Sequence, residues 1–365
     1  MKAALLTREY PPGVYGGAGV HVDYLSRELA RVMDVEVRCF GGPRERPEGH
    51  GPVVRSFQAW EGLSGRMPHA SVLRAMSVDL AMVEDLGGID LVHSHTWYAN
   101  LAGHLARLLY GVPHVATTHS LEPLRPWKAE QLGKGGYEVS AFCERTGLEG
   151  ADAVIAVSRE MRRDVLRSYP AIDPGRVVVI HNGIDLDEYR PDDRTDALRR
   201  YGIDPRIPSV VFVGRVTRQK GLTYLLDAAL HIDPSAQLVL CAGAPDTEEI
   251  ARDISTKVKG LEEARGNVSW IESMLPKEDV IQVLSHATVF CCPSIYEPLG
   301  IVNLEAMACA TAVVATATGG IPEVVEDEVT GFLVPFEPAD EISREPRDPD
   351  RFVRDLAARV NALLA

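Results

Sequence analysis

Short apolar runs alternate with amphipathic stretches along the chain. Apolar runs in the first half occupy residues 3–6, 35–40, 91–93, 115–118 and 154–157. Between them, apolar residues recur every three or four positions, as at Val22, Leu25, Leu29 and Val32. The runs predict buried strands, and the recurrent spacing predicts amphipathic helices. Because such alternation is typical of parallel sheets with helices on both faces, the pattern predicts an α/β fold.

The alternation is interrupted at residues 169–175, which are rich in turn-forming residues, and then starts again. Apolar runs in the second half occupy residues 210–213, 238–242, 268–271, 289–292 and 313–315. Near the end, Phe352, Leu356, Val360 and Leu363 follow a helical spacing. We therefore predict two doubly wound, Rossmann-like domains, over residues 1–170 and 171–345, and a C-terminal helix over residues 346–365. The predicted hinge is the 169–175 segment.

Composition narrows the class of protein. A chain of 365 residues can build two domains with separate cores, and 45% hydrophobic with 25% charged residues is ordinary for a soluble enzyme. The formal net charge of -14 argues against non-specific nucleic-acid binding, which depends on clustered Lys and Arg. An anionic substrate would have to be held by local positive charge.

The amino terminus and the cysteines indicate a cytoplasmic protein. Lys2 leads into a short apolar strand that Arg8 and Glu9 interrupt too soon for a signal peptide. No apolar run reaches the length of a membrane span. The cysteines lack metal-ligand spacing and are predicted to be reduced core residues. They are Cys39, Cys143, Cys241, Cys291, Cys292 and Cys309.

Two carboxylates, Glu297 and Glu305, flank a predicted helix start at Gly300. Eight residues of helix span roughly 12 Å, close to the reach of a sugar joined through a diphosphate to a ribose. Gly300 would let a phosphate approach the backbone, and the free amides of the first turn favour an anion. The alternative is that Glu297 balances the helix dipole and Glu305 is a solvated helix residue.

A second charged motif follows the apolar run at residues 210–213. Gly214 ends this strand, and Arg215 and Lys220 come next, at the carboxyl edge where open α/β sheets bind ligands. A planar guanidinium and a mobile ammonium together suit a leaving diphosphate. The alternative is an ordinary basic loop.

Two further candidates follow strands of the first half. Gly16, Gly17 and Gly19 follow the first strand and open a helix, which is the context of a phosphate-binding turn. The spaced three-glycine pattern of a dinucleotide site is missing, which argues against a nicotinamide enzyme. His119 ends a strand. It has either an active-site role or a structural one.

These motifs, together with residues 181–185 and 319–323, resemble the retaining glycosyltransferases of the GT-B fold, whose two Rossmann-like domains face each other across a cleft. Residues 7–12 and 118–128 resemble the actinobacterial glycogen synthase group, which includes the α-maltose-1-phosphate synthases. The resemblance implies an acceptor-side first domain, a second domain that binds ADP-glucose or UDP-glucose, and no metal or other cofactor. Members usually continue with a helix that returns to the first domain, so a truncated end is expected here.

The resemblance also implies roles. His119 would lie beside the transferred sugar, Glu297 would bind its hydroxyls, and Glu305 would bind the ribose. Arg215, Lys220 and the amides around Gly300 would stabilise the leaving diphosphate. The remaining donor-binding predictions are Gly16, Gly17, Gly19, Gly214, Leu299, Ile301 and Val302.

The acceptor is expected to contact residues 124–137, where Arg125, Lys128 and Lys134 place three cations in a predicted loop. A phosphorylated acceptor would explain them, and a solvated basic loop is the alternative. Tyr98 could form an aromatic wall for the acceptor sugar or pack in the core.

The leading interpretation is glucosyl transfer to glucose 1-phosphate, which gives α-maltose 1-phosphate for glycogen or α-glucan synthesis. The alternatives are elongation of an α-1,4-glucan, a non-catalytic sugar-binding protein and a nucleotide-sugar epimerase. Expected partners are the nucleotide sugar and a sugar phosphate or α-glucan, with neither nucleic acid nor membrane, and a homodimer is compatible with this interpretation.

Overall fold

The computed structural model describes residues 1–14, 16–42, 51–65, 69–341 and 343–365. They divide into two compact units, Met1–Asn182 and Gly183–Ala365. The predicted hinge at residues 169–175 lies inside the first unit rather than at its end. The reason is that the strand after it, Val177–Val179, still pairs with the sheet of the first unit.

The described part of the first unit contains a seven-stranded parallel sheet in the order β3-β2-β1-β4-β5-β6-β7. The strands are β1 (Lys2–Thr7), β2 (Asp34–Phe40), β3 (Val53–Phe57), β4 (Leu91–His95), β5 (His114–Thr118), β6 (Ala153–Ala156) and β7 (Val177–Val179). The helices are α1 (Gly17–Leu29), α2 (Ala70–Met82), α3 (Trp97–Tyr110), α4 (Lys128–Gly150) and α5 (Arg159–Ser168).

Apolar side chains are buried on both faces of this sheet. In β1, Leu5 packs with Val37 on one face, whereas the adjacent Leu6 packs with Val92 and Met82 on the other. Successive side chains of a strand point to opposite faces, so a strand covered on both faces is apolar at every position. This explains why the continuous apolar run at residues 3–6 predicted a buried strand.

The described part of the second unit contains a six-stranded parallel sheet in the order β10-β9-β8-β11-β12-β13. The strands are β8 (Ser209–Arg215), β9 (Gln237–Gly243), β10 (Val268–Ile271), β11 (Val289–Cys292), β12 (Ala312–Thr316) and β13 (Gly331–Val334). The helices are α6 (Asp196–Arg200), α7 (Leu222–Ala228), α8 (Glu248–Arg265), α9 (Lys277–Ser285), α10 (Ile301–Ala308) and α11 (Pro349–Leu364).

Helix α11 is part of the second unit. Phe352, Leu356 and Val360, which the helical spacing singled out, are fully buried against the core that includes Leu222 and Leu225 of α7. The C-terminal helix therefore stabilises the sheet of the second unit by closing one of its faces.

The predicted fold class is confirmed, since both units are doubly wound parallel sheets. All six cysteines lie in the described residues, are buried and form no disulfide, as the apolar contexts predicted. Among the helices described here, none combines the length and the apolar character needed to cross a membrane.

Candidate active site

Lys220 and Glu297 are brought into direct contact at the carboxyl edge of the second sheet. Lys220 follows β8, Glu297 follows β11, and these two strands are neighbours. The Lys220 Nζ donates to Glu297 Oε2 at 2.6 Å, and Ser294 Oγ donates to the same oxygen at 3.3 Å. Two residues that are 77 positions apart in sequence thus form one ion pair.

Backbone contacts hold this ion pair in place. Gly221 has φ +63°, and a Cβ there would overlap the carbonyl oxygen of Pro293. The Ile295 amide donates to the Gln219 carbonyl at 2.9 Å. Only glycine permits both the left-handed conformation and the close approach, so the turn that carries Lys220 is fastened to the segment that carries Glu297.

The charges around Lys220 keep it a cation. Burial lowers the pKa of Lys220, but the Glu297 carboxylate opposes this effect, and the resulting pKa lies above the ordinary value. Arg215 lies nearby at the end of β8, with its Nη1 3.2 Å from Asp246 Oδ1. Gly214 directly precedes Arg215, and a Cβ there would lie 3.3 Å from Phe212 Cζ and in ordinary contact with the alkyl chain of Lys220.

Helix α10 begins where the sequence predicts, directly after Gly300. Gly300 has φ +95°, a conformation that favours glycine, and Ile301 and Val302 form the first turn. The first amides of a helix have no partner within it, and the helix dipole adds positive potential there. This turn therefore offers an anion site close to Glu297.

Glu305 lies one turn further along α10, and Leu299 is buried before the helix. Burial raises the pKa of Glu305, and a hydrogen bond with Tyr189 and the charges of Lys220 and Lys277 act in the opposite direction. Glu305 is thus half-buried and close enough to Lys220 and Lys277 to be influenced by their charges.

Close backbone contacts explain the two glycines at the start of the 319–323 segment. Gly319 has φ +54°, and a Cβ there would overlap the Glu297 carbonyl oxygen. The Gly320 amide donates to the same carbonyl at 2.9 Å, and a Cβ on Gly320 would lie 2.7 Å from the Leu299 Cα. Both glycines therefore fix the backbone that carries Glu297.

In the first unit, the predicted glycine loop begins helix α1, as expected. Gly16 is the residue before α1, and Gly17 and Gly19 lie in its first turn. The Gly16 amide donates to Glu9 Oε2 at 2.7 Å, and a Cβ on Gly19 would lie 2.7 Å from the Glu9 Cβ. An internal carboxylate already lies at this helix start, so the loop packs against Glu9.

His119 belongs to a cluster of imidazoles. Its Nε2 lies 3.1 Å from His95 Nδ1, and the ring of His21 lies 4.7 Å from its own ring, centroid to centroid. His93 Nε2 lies 2.7 Å from Thr117 Oγ1. Burial lowers the pKa of all four histidines, so the cluster is neutral at pH 7.

Neutral imidazoles are the form that binds metals. In the part of the chain that the structure describes, His21, His95 and His119 are the group that could hold an ion, with ligand atoms within 4.8 Å of one another. His95 Nδ1 and His119 Nε2 face each other at 3.1 Å, whereas the buried His95 Nε2 has no hydrogen-bond partner.

Two Asp-x-Asp pairs, which resemble the metal-binding signature of the other glycosyltransferase fold, occur in the chain. Asp185 Oδ1 accepts from the Asp187 amide at 2.9 Å, and Asp348 Oδ1 accepts from the Arg351 amide at 3.0 Å. The first carboxylate of each pair therefore shapes a turn or a helix start.

The predicted loop at residues 124–137 is wrong from Lys128 onward, where helix α4 begins. Helix formers such as Lys128, Glu130 and Leu132 continue the helix, and a single non-helical residue, Gly133 (φ 70°, ψ 160°), kinks it. Lys134 is exposed just after this kink, and Lys128 Nζ donates to Gln131 Oε1 at 2.7 Å.

Arg125 has an internal partner that the sequence did not reveal. Its Nη2 lies 2.6 Å from Glu122 Oε1, and the Glu122 side chain is 0% exposed. Glu144 lies beside Glu122, and burial together with the charge of Glu122 raises the pKa of Glu144 to about 8. Because Arg125 offsets a buried carboxylate, its charge is already committed to the fold.

Tyr98, the second residue of α3, lies at the carboxyl edge of the first sheet. Its ring stacks on the buried Trp97 at 3.8 Å and meets the edge of Phe40 at 6.3 Å. The Arg8 guanidinium lies 4.2 Å above the same ring. The Tyr98 ring therefore contacts both aromatic side chains and a cation.

Some residues of the site were not assigned a role from the sequence. Gly221 and Asp246 position Lys220 and Arg215, His21 joins the imidazole cluster, and Glu122 partners Arg125. Gly221 had a signal, since a glycine directly after a functional lysine suggests a tight turn. Asp246 and Glu122 had no such signal, because carboxylates are common in so acidic a chain.

Comparison with known proteins identifies the family. Residues 15–188 match the model described as Glycosyltransferase Family 4, and residues 193–347 match Glycosyl transferases group 1. Each match spans most of one structural unit.

Relatives and a solved structure agree with these models. The chain is 54% identical over 373 aligned positions to the alpha-maltose-1-phosphate synthase of Mycolicibacterium smegmatis, covering 100% of this chain and 90% of that protein. It is 36% identical to the D-inositol 3-phosphate glycosyltransferase of Mycobacterium sp. (strain KMS), over 88% of this chain and 75% of that one. Sucrose-phosphate synthase from Thermosynechococcus elongatus superposes with a TM-score of 0.74 at 26% identity, covering 99% and 94% of the two chains. The chain therefore belongs to the GT-B glycosyltransferases, in the family of the α-maltose-1-phosphate synthases, and is a hexosyltransferase.

Proposed function

We propose that this protein is a cytoplasmic, retaining glucosyltransferase that moves glucose from ADP-glucose or UDP-glucose to glucose 1-phosphate, giving α-maltose 1-phosphate for α-glucan synthesis. The observation that carries the proposal is the Lys220–Glu297 contact of 2.6 Å next to the first turn of α10. This contact pairs a cation that can stabilise the leaving diphosphate with a carboxylate that can bind the sugar hydroxyls. The names of the relatives support the phosphorylated product.

In the proposed reaction, the diphosphate lies against the first amides of α10 and near Arg215 and Lys220. Negative charge grows on the diphosphate as its bond to the sugar breaks, and the shared Lys220 ammonium moves from Glu297 toward it. Glu297 then binds the glucose hydroxyls and Glu305 the ribose hydroxyls. We propose that the acceptor hydroxyl attacks the face that the diphosphate leaves and passes its proton to the departing diphosphate oxygen, so that the anomeric configuration is retained without a metal.

Elongation of a neutral α-1,4-glucan is the second candidate, and one observation favours it. Arg125, predicted to bind the acceptor phosphate, is occupied by the buried Glu122. With that guanidinium committed, the acceptor phosphate needs another cation, whereas a glucan needs none.

One assay separates these functions. Purified protein is given ADP-glucose or UDP-glucose with either glucose 1-phosphate or glycogen, and product masses are measured. A hexose added to glucose 1-phosphate supports the proposal. Extension of glycogen alone supports elongation, whereas a donor epimer indicates an epimerase. Binding without turnover of either donor indicates a sugar-binding protein.

Glu297 and Glu305 are expected to have separable effects on product binding. Glu305→Gln removes a charged acceptor for the ribose hydroxyls and should weaken ADP binding roughly tenfold. Glu297→Gln frees Lys220 from its carboxylate, so ADP affinity should hold or rise while transfer falls. Isothermal titration of both variants with ADP tests this, and equal losses of affinity would contradict the assignment.

A further inference from the structure

Arg8 lies where the acceptor is expected, at the carboxyl edge of the first sheet. It directly follows β1, Tyr98 opens the helix after β4, and His119 directly follows β5. These three strands are adjacent in the order β1-β4-β5 and parallel. Arg8, Tyr98 and His119 therefore emerge at the same edge, where sheets of this kind bind ligands.

The charge of Arg8 is uncompensated among the described residues. Arg8 is exposed, its guanidinium rests 4.2 Å above the Tyr98 ring, and no described carboxylate lies within ion-pair distance of it. The carboxylates near Tyr98 are engaged elsewhere, since Glu122 is bound to Arg125 and Glu9 is bound to the Gly16 amide.

Stacking on an aromatic ring fixes the plane of a guanidinium while leaving its N–H groups available. Such a fork matches the oxygens of a phosphate monoester and can bind two of them at once. Tyr98 also carries a phenolic hydroxyl, a group that can form a hydrogen bond with a sugar. The pair thus offers recognition of a phosphate and of the sugar attached to it.

We infer that Arg8, held over Tyr98, recognises the phosphate of a sugar 1-phosphate acceptor, and that this contact, rather than Arg125, selects a phosphorylated acceptor. The inference rests on the proposed function. Arg125 differs from Arg8 in both respects that matter, because its side chain is 13% exposed and it is bound to a buried carboxylate.

Arg8→Gln tests the inference, with Arg31→Gln as the matched control. Arg31 is an exposed arginine, paired with Glu28, that follows the far end of α1, and its loss removes the same charge. The Michaelis constant for glucose 1-phosphate, relative to that for the donor, should rise about tenfold to a hundredfold in Arg8→Gln and stay unchanged in Arg31→Gln. Arg8→Lys should recover part of the loss, since a point charge replaces the fork.

Direct titration of the protein with glucose 1-phosphate measures binding alone, so this test does not depend on which product the enzyme makes. Glucose 1-phosphate should bind the wild type more tightly than Arg8→Gln, and added salt should weaken the wild type more. Equal affinity of the two proteins, or no binding by the wild type, would overturn the role of Arg8. If Arg8→Gln weakens this binding but the wild type transfers glucose only to glycogen, the proposed function fails and the phosphate site stands.

Discussion

Replacing Lys220 with alanine should lower the turnover number about a hundredfold and affect donor affinity much less, because Lys220 meets its full partner charge only as the diphosphate leaves. Arg215→Ala should have a similar effect. Lys220 is suited to this role since its pKa is raised and it remains a cation, despite a burial effect that acts in the opposite direction. Steady-state kinetics with varied donor measures both parameters.

Lys257→Ala is the matched control. Lys257 pairs with Asp227 at 2.6 Å, the same distance as in the Lys220–Glu297 pair, but it lies on the partly exposed surface of α8. Surface ion pairs of this kind contribute about 0–1 kcal/mol to stability, so turnover should not change. Near-normal turnover in both Lys220→Ala and Arg215→Ala would show that the diphosphate is bound elsewhere.

Replacing Gly319 with alanine should reduce transfer at least about a hundredfold, because a displacement of catalytic groups by about 1 Å is enough for such a loss. The added Cβ would overlap the Glu297 carbonyl oxygen, and φ +54° is strained for alanine. The segment that carries Glu297 must therefore move. Initial rates and the thermal midpoint of the variant are the two measurements.

Gly260→Ala provides the comparison. Gly260 lies exposed in α8, and nothing is within 4 Å of a Cβ added there. Alanine in a helix interior is favoured over glycine by roughly 0.5–1 kcal/mol, so this variant should be as active and at least as stable as the wild type. Full activity in Gly319→Ala would mean that the Glu297 segment adapts without loss and that its backbone geometry is not fixed.

The predicted strands show what an apolar run can reveal. Each run in the sequence lies within or overlaps one strand, and the runs at residues 268–271 and 289–292 match β10 and β11 fully. The strands that were not predicted are β3, β7 and β13, and each lies at an edge of its sheet. In β3, polar residues interrupt the apolar ones, whereas β7 and β13 each carry an apolar run of only three residues, which is too short to stand out in the sequence.

The charged residues of the site could be predicted from the sequence, but the contacts between them were harder to predict. The motif around Gly300 gave the start of α10, and the rule about carboxyl edges placed Arg215 and Lys220 at the edge of their sheet. The contact of Lys220 with Glu297 also required the order of β8 and β11, which sequence periodicity does not contain. The pairing of Arg125 with Glu122 was not visible in the sequence for a related reason, because Glu122 is buried by α4, whose Ser140 donates to it.

The glycines that hold Glu297 and Lys220 have a consequence for protein engineering. Gly221, Gly319 and Gly320 act through close backbone contacts, and they contribute no side chain of their own. Libraries aimed at a new donor specificity can therefore randomise the side chains around this frame while leaving the three glycine codons fixed. Active clones selected from a fully randomised library should retain glycine at these positions, whatever sugar they have come to use.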